Sequence, residues 1–306
     1  MIGPWDSLAE RLESTLRGRV RREQPMSAHT TFAIGGPADI FVEAADENDL
    51  AGAVRLTREA EAPLLTIGSG SNLLVADAGI EGVVIKILEN MSASAREGHR
   101  LRAEAGVVLD DLCERARAEG LGGLEHFAGI PGTVGGAVYM NAGAFGHEVL
   151  EVADEVRVLD SQGGQHTLGP RDIKRGYRRT SLMESDMIVT GATFALQPTD
   201  GGALAERMRE VRAHRADRIP PGIRCAGSVF KNPKPLVAGR LLEEAGCKGL
   251  RVGGAVVSSL HANVILNEGG ARAQDVVSLM REMRARVRER CAMELEPEVI
   301  LRGVSL

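Results

Sequence analysis

The feature that most constrains the fold is a stretch of 20 residues without a formal charge, Phe127 to Gly146 (FAGIPGTVGGAVYMNAGAFG). Its length matches that of a membrane-spanning helix. However, six of its residues are Gly, one is Pro and one is Asn. Gly costs about 1 kcal/mol and Pro about 3 kcal/mol relative to Ala inside a helix. The stretch therefore argues against a membrane span and favours tight turns whose backbone can approach a ligand closely.

The composition of the whole chain is that of an ordinary globular protein. Its 306 residues are 43% hydrophobic and 26% charged, which excludes general disorder, collagen and an integral membrane protein. This length allows two or three domains. The net charge of −5 argues against binding to duplex nucleic acid, which normally requires a basic surface.

The four cysteines and seven histidines form no recognisable metal motif. Without a CxxC pair, the cysteines predict free thiols in a reducing compartment rather than disulfides or a zinc site. The first 24 residues are charged throughout and lack the apolar core of a signal peptide. We therefore expect a cytoplasmic protein without a bound metal.

The order of predicted elements indicates an α+β fold. Residues 38–44 predict a strand, and Asp46 is placed to cap a helix over 47–60, with Asp49 as the return partner of a capping box. Short strands dominate the middle of the chain and helices the last third. The final stretch, 294–303, again predicts a strand, in which Glu296 and Glu298 would share one face.

Two glycine-rich turns stand out, IGSGSN at 67–72 and GIPGTVGGAVYMNAGAFG at 129–146. Because Gly lacks a Cβ, backbone N–H groups in such turns can approach an anion closely, and two of them could straddle a diphosphate. Neither turn has the GxGxxG or GxxxxGK[ST] pattern of the common nucleotide-binding loops. Each turn taken alone is equally compatible with an ordinary loop.

Three shorter motifs bring together polar side chains suited to binding or proton transfer. They are AGSVFKNP at 226–233 with Ser228, Lys231 and Asn232, GYRR at 176–179 with Tyr177 and Arg178, and EPEV at 296–299 with Glu296 and Glu298. A guanidinium such as that of Arg178 suits a carboxylate or a phosphate. Each motif alone is also what an exposed surface segment would contain.

In combination, and in this order along the chain, the motifs are far more specific. With HTTFAIGGPAD at 29–39, EEAGCKGLRVGGA at 243–255 and LEPEV at 295–299, the chain closely resembles the UDP-N-acetylenolpyruvoylglucosamine reductase family over about residues 25–303. The resemblance implies a flavoenzyme that makes UDP-N-acetylmuramate for bacterial peptidoglycan. The length and the GSVF sequence resemble the shorter type of the family, which lacks an extra tyrosine-bearing insertion.

The family resemblance also implies a fold and a domain order. Two domains would form an FAD-binding module of the p-cresol-methylhydroxylase-like kind, and a third α/β domain would bind the substrate. We expect the first FAD-binding domain at 1–87 with the terminal strand 296–306, the second at 88–203, and the substrate-binding domain at 204–295.

The resemblance implies a mechanism in which FAD is the cofactor and NADPH the co-substrate. Arg178 would hold the carboxylate of the UDP-linked enolpyruvyl sugar, where fixed charge stabilises the transition state. Ser228 would deliver a proton to C2, and Glu298 would be the carboxylic partner at the same end. Tyr177, Lys231 and Asn232 would be substrate contacts.

The two glycine-rich turns would hold the diphosphate of FAD. The residues predicted to contact this cofactor are Gly68, Ser69, Gly70, Ser71, Asn72, Leu73, Gly132, Thr133, Gly135, Gly136, Asn141 and Gly143. We expect a monomer that binds neither nucleic acid nor a membrane.

The chain departs from the family pattern at several positions. Thr180 stands in place of Ser and keeps the hydroxyl, Cys225 replaces a Ser donor, and Leu260 replaces a Lys. Arg272 lies where a capping Thr is common, which predicts a cost of about 1 kcal/mol to the following helix. Two alternatives stay open: another FAD oxidoreductase of this fold acting on a sugar or lactone, and a catalytically silent nucleotide-binding relative.

Overall fold

The computed structural model describes residues 4–306; the first three residues of the predicted first domain lie outside this range. The helices are α1 (Asp6–Thr15), α2 (Glu47–Glu59), α3 (Leu109–Ala118), α4 (Val134–Tyr139), α5 (Gly201–Ala216), α6 (Ala238–Glu244) and α7 (Ala273–Cys291). The strands are β1 (Arg19–Pro25), β2 (Pro37–Glu43), β3 (Leu64–Ile67), β4 (Leu73–Val75), β5 (Ile80–Lys86), β6 (Ser94–Glu97), β7 (Arg100–Glu104), β8 (Leu121–Gly122), β9 (Gly143–Ala144), β10 (His147–Glu148), β11 (Ala153–Leu159), β12 (Gln165–Leu168), β13 (Arg175–Gly176), β14 (Arg179–Thr180), β15 (Ile188–Ala195), β16 (Gln197–Pro198), β17 (Arg251–Val252), β18 (Ala255–Val257), β19 (Ile265–Asn267) and β20 (Ile300–Arg302).

The first compact unit comprises residues up to 22, 40–69 and 82–213. One of its two cores packs α1 and α2 on a four-stranded sheet of order β1-β2-β5-β3. Asp46 caps α2 as predicted, its side chain accepting a hydrogen bond from the N–H of Asp49 at 3.0 Å. The amphipathic pattern of both helices is explained by this burial, since apolar residues on one helix face must be covered.

The second core of this unit lies against a five-stranded antiparallel sheet of order β12-β11-β15-β7-β6. α3, α4 and α5 contribute its helical side, with Leu112, Val138 and Met208 almost fully buried. The uncharged stretch Phe127 to Gly146 supplies the short helix α4, flanked by turns. Among residues 4–306, no helix is long and apolar enough to cross a membrane.

The second compact unit comprises residues 23–39, 70–81 and 214–306. α6 and α7 pack with a three-stranded sheet of order β17-β18-β19, and β4 pairs in parallel with β20. The apolar stripe of α7, including Met280 and Met283, is buried in this core as predicted. Gly246 after α6 has φ +68°, which confirms the predicted left-handed helix end. The three-domain division stays a prediction.

Two local predictions were wrong. The carboxylate of Asp49 does not complete a capping box; it accepts from the N–H groups of Arg17, Gly18 and Ala45, each at 2.9 Å. The segment 296–299 is not a regular strand, because the strand begins only at Ile300.

The start of α7 at Arg272 has hydrogen-bond acceptors that the sequence did not predict. The carboxylate of Asp77, from a distant part of the same unit, accepts from the N–H groups of Ala273 at 2.8 Å and Gln274 at 3.3 Å. Asp275 accepts from the N–H of Arg272 at 2.9 Å. These bonds supply acceptors where the Thr cap is missing, and the predicted cost to α7 stays a prediction.

Candidate active site

Arg178 lies in a two-residue turn between β13 and β14. The two strands pair antiparallel with Gly176 opposite Arg179, so Tyr177 and Arg178 form the turn itself. Arg178 has φ +55°, a left-handed conformation that costs a non-glycine residue about 1–2 kcal/mol. Its guanidinium lies over the ring of Tyr177, 5.0 Å from the ring centre. Backbone strain at a residue that carries a guanidinium is typical of a functional position.

Three hydrogen bonds hold this turn against the segment 139–143. The Oγ1 of Thr180, a residue only 1% exposed, donates to the carbonyl of Tyr139 at 2.5 Å. The Nδ2 of Asn141 donates to the carbonyl of Gly176 at 3.2 Å. The Nη2 of Arg178 donates to the carbonyl of Gly143 at 2.8 Å. The predicted catalytic arginine is therefore positioned by the predicted cofactor loop.

Asn141 is fully buried, and its carboxamide forms hydrogen bonds within the protein. Besides Gly176, its Nδ2 donates to the carboxylate of Glu148 at 2.6 Å, and its Oδ1 accepts from the N–H of Leu150 at 3.3 Å. The structure thus gives this side chain a positioning role. Its predicted contact with the cofactor stays a prediction.

The two glycine-rich turns meet at Gly68 and Thr133. A Cβ on Gly68 would lie 2.3 Å from the Oγ1 of Thr133, so only glycine allows this approach. Thr133 is the N-cap of α4 and accepts from the N–H of Gly136 at 3.4 Å. Gly135 packs against Ala105, whose carbonyl accepts its N–H at 2.9 Å. The two turns therefore approach each other closely at Gly68 and Thr133, and the second turn is also bonded to Ala105.

Ser228 and Glu298 lie on neighbouring backbone segments of the second unit. The carbonyl of Val229, next to Ser228, accepts from the N–H of Glu298 at 2.9 Å. On the following residue, Phe230 forms an isolated β-bridge with Pro297. Both Ser228 and Glu298 are partly buried. The structure therefore brings together two residues that lie far apart in sequence and were predicted to act on the same substrate.

Asn72 fixes the segment that carries Glu298. Its Nδ2 donates to the carbonyl of Glu298 at 3.0 Å, and its own carbonyl accepts from the N–H of Ile300 at 3.0 Å. The next residue, Leu73, is buried and pairs with Ile300 in the parallel bridge between β4 and β20. The end of the first glycine-rich turn thus positions a predicted catalytic residue.

Lys231 and Asn232 lie just after Ser228, on the same backbone segment. The Nζ of Lys231 lies 3.4 Å from the carboxylate of Glu296, whose side chain is 76% exposed. The Oδ1 of Asn232 accepts from the N–H of Ala238 at 2.9 Å, at the start of α6. Within this EPEV motif the first glutamate therefore faces solvent, which leaves Glu298 as the candidate for chemistry.

Comparison with known proteins decides the family. Residues 38–169 match the family model of an FAD binding domain, and residues 220–302 that of the UDP-N-acetylenolpyruvoylglucosamine reductase, C-terminal domain. A protein of Symbiobacterium thermophilum named UDP-N-acetylenolpyruvoylglucosamine reductase 2 is 44% identical over 97% of both chains. The chain belongs to the UDP-N-acetylenolpyruvoylglucosamine reductase family.

Other relatives agree with this membership. A Geobacter sulfurreducens protein with the family name is 42% identical, over 97% of this chain and 99% of its own length. The crystal structure of UDP-N-acetylenolpyruvylglucosamine reductase (MurB) from Thermus caldophilus superposes with a TM-score of 0.81 at 37% identity, covering 94% of this chain and 100% of that one. The predicted family and fold class are confirmed, and the length of 306 residues is consistent with the shorter type.

The reductase family requires a flavin, and the glycine-rich turns fit its diphosphate. Within residues 4–306, the N–H groups of Gly68 and Ser69 donate no hydrogen bond to the protein, so these donors are available to an anion. Gly70 has φ +62° and its Cα packs against the carbonyl of His29, where a Cβ would lie 2.2 Å from the oxygen. Across the described range no group of three or more His, Cys, Asp or Glu is arranged to hold a metal ion.

The predicted site residues fall into two groups in the reductase structure. The first unit holds Tyr177, Arg178, Gly68, Ser69, Gly132, Thr133, Gly135, Gly136, Asn141 and Gly143, and the second holds Gly70, Ser71, Asn72, Leu73, Ser228, Lys231, Asn232 and Glu298. Asn263 was not among the predicted residues, yet it is 2% exposed and contacts the segment that carries Ser228. Its signal in the sequence is a polar residue between two apolar ones, Ala262 and Val264.

Proposed function

We propose that this chain reduces UDP-N-acetylglucosamine enolpyruvate to UDP-N-acetylmuramate, with Arg178, Ser228 and Glu298 as its catalytic residues. Membership of the family confirms the predicted reductase activity in peptidoglycan precursor synthesis, with FAD as cofactor and NADPH as reductant. The observation that best supports the assigned roles is the Arg178 turn, which has a strained backbone and is held by three hydrogen bonds, one of them from the guanidinium itself.

Bound FAD supplies the redox chemistry, by which electrons from NADPH reach C3 of the enolpyruvyl group as hydride. Negative charge then develops at C2 and on the adjacent carboxylate. A guanidinium held in place before the reaction stabilises this charge better than mobile water, because it needs no reorganisation. We assign this role to Arg178, with the glycine-rich turns and Asn72 holding the cofactor side.

Ser228 completes the reduction by donating its hydroxyl proton to C2, and solvent returns a proton to the serine oxygen. A hydroxyl is a weak acid, so this transfer depends on the hydroxyl lying close to the developing charge. Glu298, bonded through its N–H to Val229, is the carboxylic partner. Tyr177, Lys231 and Asn232 bind the substrate, the last two at its diphosphate or its sugar.

A cytoplasmic, monomeric protein with three domains is part of the same proposal. The four cysteines are free, and burial raises the pKa of the Cys225 and Cys247 thiols. Free, buried thiols fit a reducing compartment. The three separate hydrophobic cores fit three domains, two around the flavin and one for the substrate.

An anaerobic experiment in two steps tests the reductase. Purified protein should be yellow, NADPH alone should bleach its visible absorbance, and UDP-N-acetylglucosamine enolpyruvate should restore it. Protein that stays colourless after incubation with FAD would support the silent relative. Bleaching by NADPH without reoxidation by the enolpyruvyl nucleotide would favour another FAD oxidoreductase of this fold.

A further inference from the structure

Along one edge of the segment that carries Ser228, the side chain of Asn263 takes the place of a continuing strand. The N–H of Val229 donates to the carbonyl of Asn263 at 2.9 Å, and Ser228 bridges Val264. At the next residue the Oδ1 of Asn263 accepts from the N–H of Phe230 at 3.0 Å, and its Nδ2 donates to the carbonyl of Phe230 at 2.8 Å. A carboxamide carries the same donor and acceptor pair as a peptide. The side chain of Asn263 therefore extends the hydrogen-bond ladder between these two backbone segments by one residue.

Because this pair of hydrogen bonds is buried, the loss of either bond is costly. Asn263 is 2% exposed, and both Val229 and Phe230 are fully buried. Inside a protein an unpaired N–H or C=O is penalised, while a satisfied pair is strengthened by the low dielectric. The carboxamide thus favours the one position of the Phe230 backbone in which both hydrogen bonds form.

A histidine fixes the orientation of Asn263 itself. The Nδ1 of His261 accepts from the N–H of Asn263 at 3.1 Å. Burial lowers the pKa of His261, which favours the neutral imidazole, the form whose Nδ1 can accept a hydrogen bond. Asn263 is held from its backbone as well as from its side chain.

The opposite edge of the same segment carries Glu298. The carbonyl of Val229 accepts from the N–H of Glu298, and Phe230 bridges Pro297. A displacement of Phe230 would therefore move Ser228 and Glu298 together.

We propose that Asn263 is a positioning residue for proton transfer, which holds the hydroxyl of Ser228 in line with C2 of the enolpyruvyl group through the backbone of Phe230. This inference rests on the proposed role of Ser228. It predicts a defect confined to the step in which the serine acts, namely the reoxidation of the enzyme by its substrate.

The test is Asn263→Ala measured in the two half-reactions of the holoenzyme. Reduction by NADPH should be unchanged, while reoxidation by UDP-N-acetylglucosamine enolpyruvate should slow by up to about 100-fold, the loss that a misplacement of about 1 Å can cause. The solvent deuterium isotope effect on reoxidation should rise, because proton transfer becomes limiting. A general loss of structure would slow both half-reactions.

Asn267 offers a matched control in the same unit. It is 8% exposed, and its carboxamide also bonds to backbone, donating to Phe32 at 3.0 Å and accepting from Gly269 at 3.0 Å. It lies outside the Ser228 segment. Asn267→Ala should therefore lose stability while keeping the ratio of the two half-reactions.

Asn263→Asp keeps the acceptor for the N–H of Phe230 but can donate to its carbonyl only when protonated. Its reoxidation rate should therefore increase, relative to the parent, as the pH is lowered, whereas Asn267→Asp should follow the parent. If Asn263→Ala does not fold, this pH series tests the positioning role of Asn263.

Two results would overturn the inference: reoxidation of Asn263→Ala at the parental rate, or equal slowing of both of its half-reactions. A parent enzyme that NADPH reduces but the substrate does not reoxidise would instead refute the proposed function.

Discussion

The contact between Gly68 and Thr133 predicts that Gly68→Ala separates the two glycine-rich turns. A Cβ at position 68 would lie 2.3 Å from the Oγ1 of Thr133 and 3.0 Å from its Cγ2. Favourable contacts begin near about 3.5 Å, so one turn must move by about 1 Å. Thr133 has little freedom to rotate away, because it is 2% exposed and its hydroxyl accepts from the N–H of Gly136.

The magnitude follows from this overlap. Overpacking of a buried site costs about 1–3 kcal/mol, and each 1.4 kcal/mol lost from binding weakens affinity about tenfold. We therefore expect Gly68→Ala to lower the free energy of unfolding by about 2 kcal/mol and the affinity for FAD by about tenfold or more. Urea denaturation of the apoprotein and a flavin fluorescence titration measure the two effects.

A second substitution tests the cause. Thr133→Ala removes the clashing atoms at the cost of a helix cap, about 1 kcal/mol, so adding it to Gly68→Ala should recover part of the loss. Gly201→Ala is the control, since a Cβ there would lie 3.6 Å from the nearest atom, the carbonyl of Arg117. If Gly68→Ala binds FAD and resists urea as Gly201→Ala does, the turns are not in the contact described.

Asp77→Ala should lower the free energy of unfolding by about 1–2 kcal/mol, because the first N–H groups of α7 lose their acceptor; urea denaturation equal to the parent's would contradict this. The partly buried His126 stacks on His147 with 3.8 Å between ring centres, and burial together with His147 lowers the pKa of His126. Between that lowered pKa and about 6.5, the unfolded chain binds more protons, so the free energy of unfolding falls as the pH drops through this window, by at most about 1.4 kcal/mol per pH unit for this group. His126→Phe keeps the stacking and should make that fall less steep; an unchanged pH profile of thermal unfolding would show that His126 does not contribute.

Local features of the fold could be predicted because their cause lies within a few residues. Asp46 caps α2 and Gly246 ends α6 in the left-handed conformation, as expected from side-chain chemistry next to each helix. Asp49 has the same chemistry, but its partners at Arg17 and Gly18 are supplied by tertiary structure. The cap of α7 by Asp77 likewise joins segments almost 200 residues apart, which no local pattern reveals.

The candidate site, too, could be predicted only in part from the sequence. The motifs identify residues with suitable chemistry, and Ser228 and Glu298 do lie on adjacent segments. The sequence cannot show whether an asparagine carboxamide binds a ligand or the backbone, since both offer the same donors and acceptors. Asn72 and Asn141 were predicted only as cofactor contacts, yet the structure uses both to hold the segments of Glu298 and Arg178.

The central claim is that the Ser228 hydroxyl protonates the substrate after hydride transfer. Its most direct test is the reoxidation rate of NADPH-reduced Ser228→Ala with UDP-N-acetylglucosamine enolpyruvate in anaerobic stopped flow. We expect reduction by NADPH at the parental rate and reoxidation slowed by about 100-fold or more, the contribution of a positioned general acid. Reoxidation at the parental rate would remove Ser228 from the mechanism.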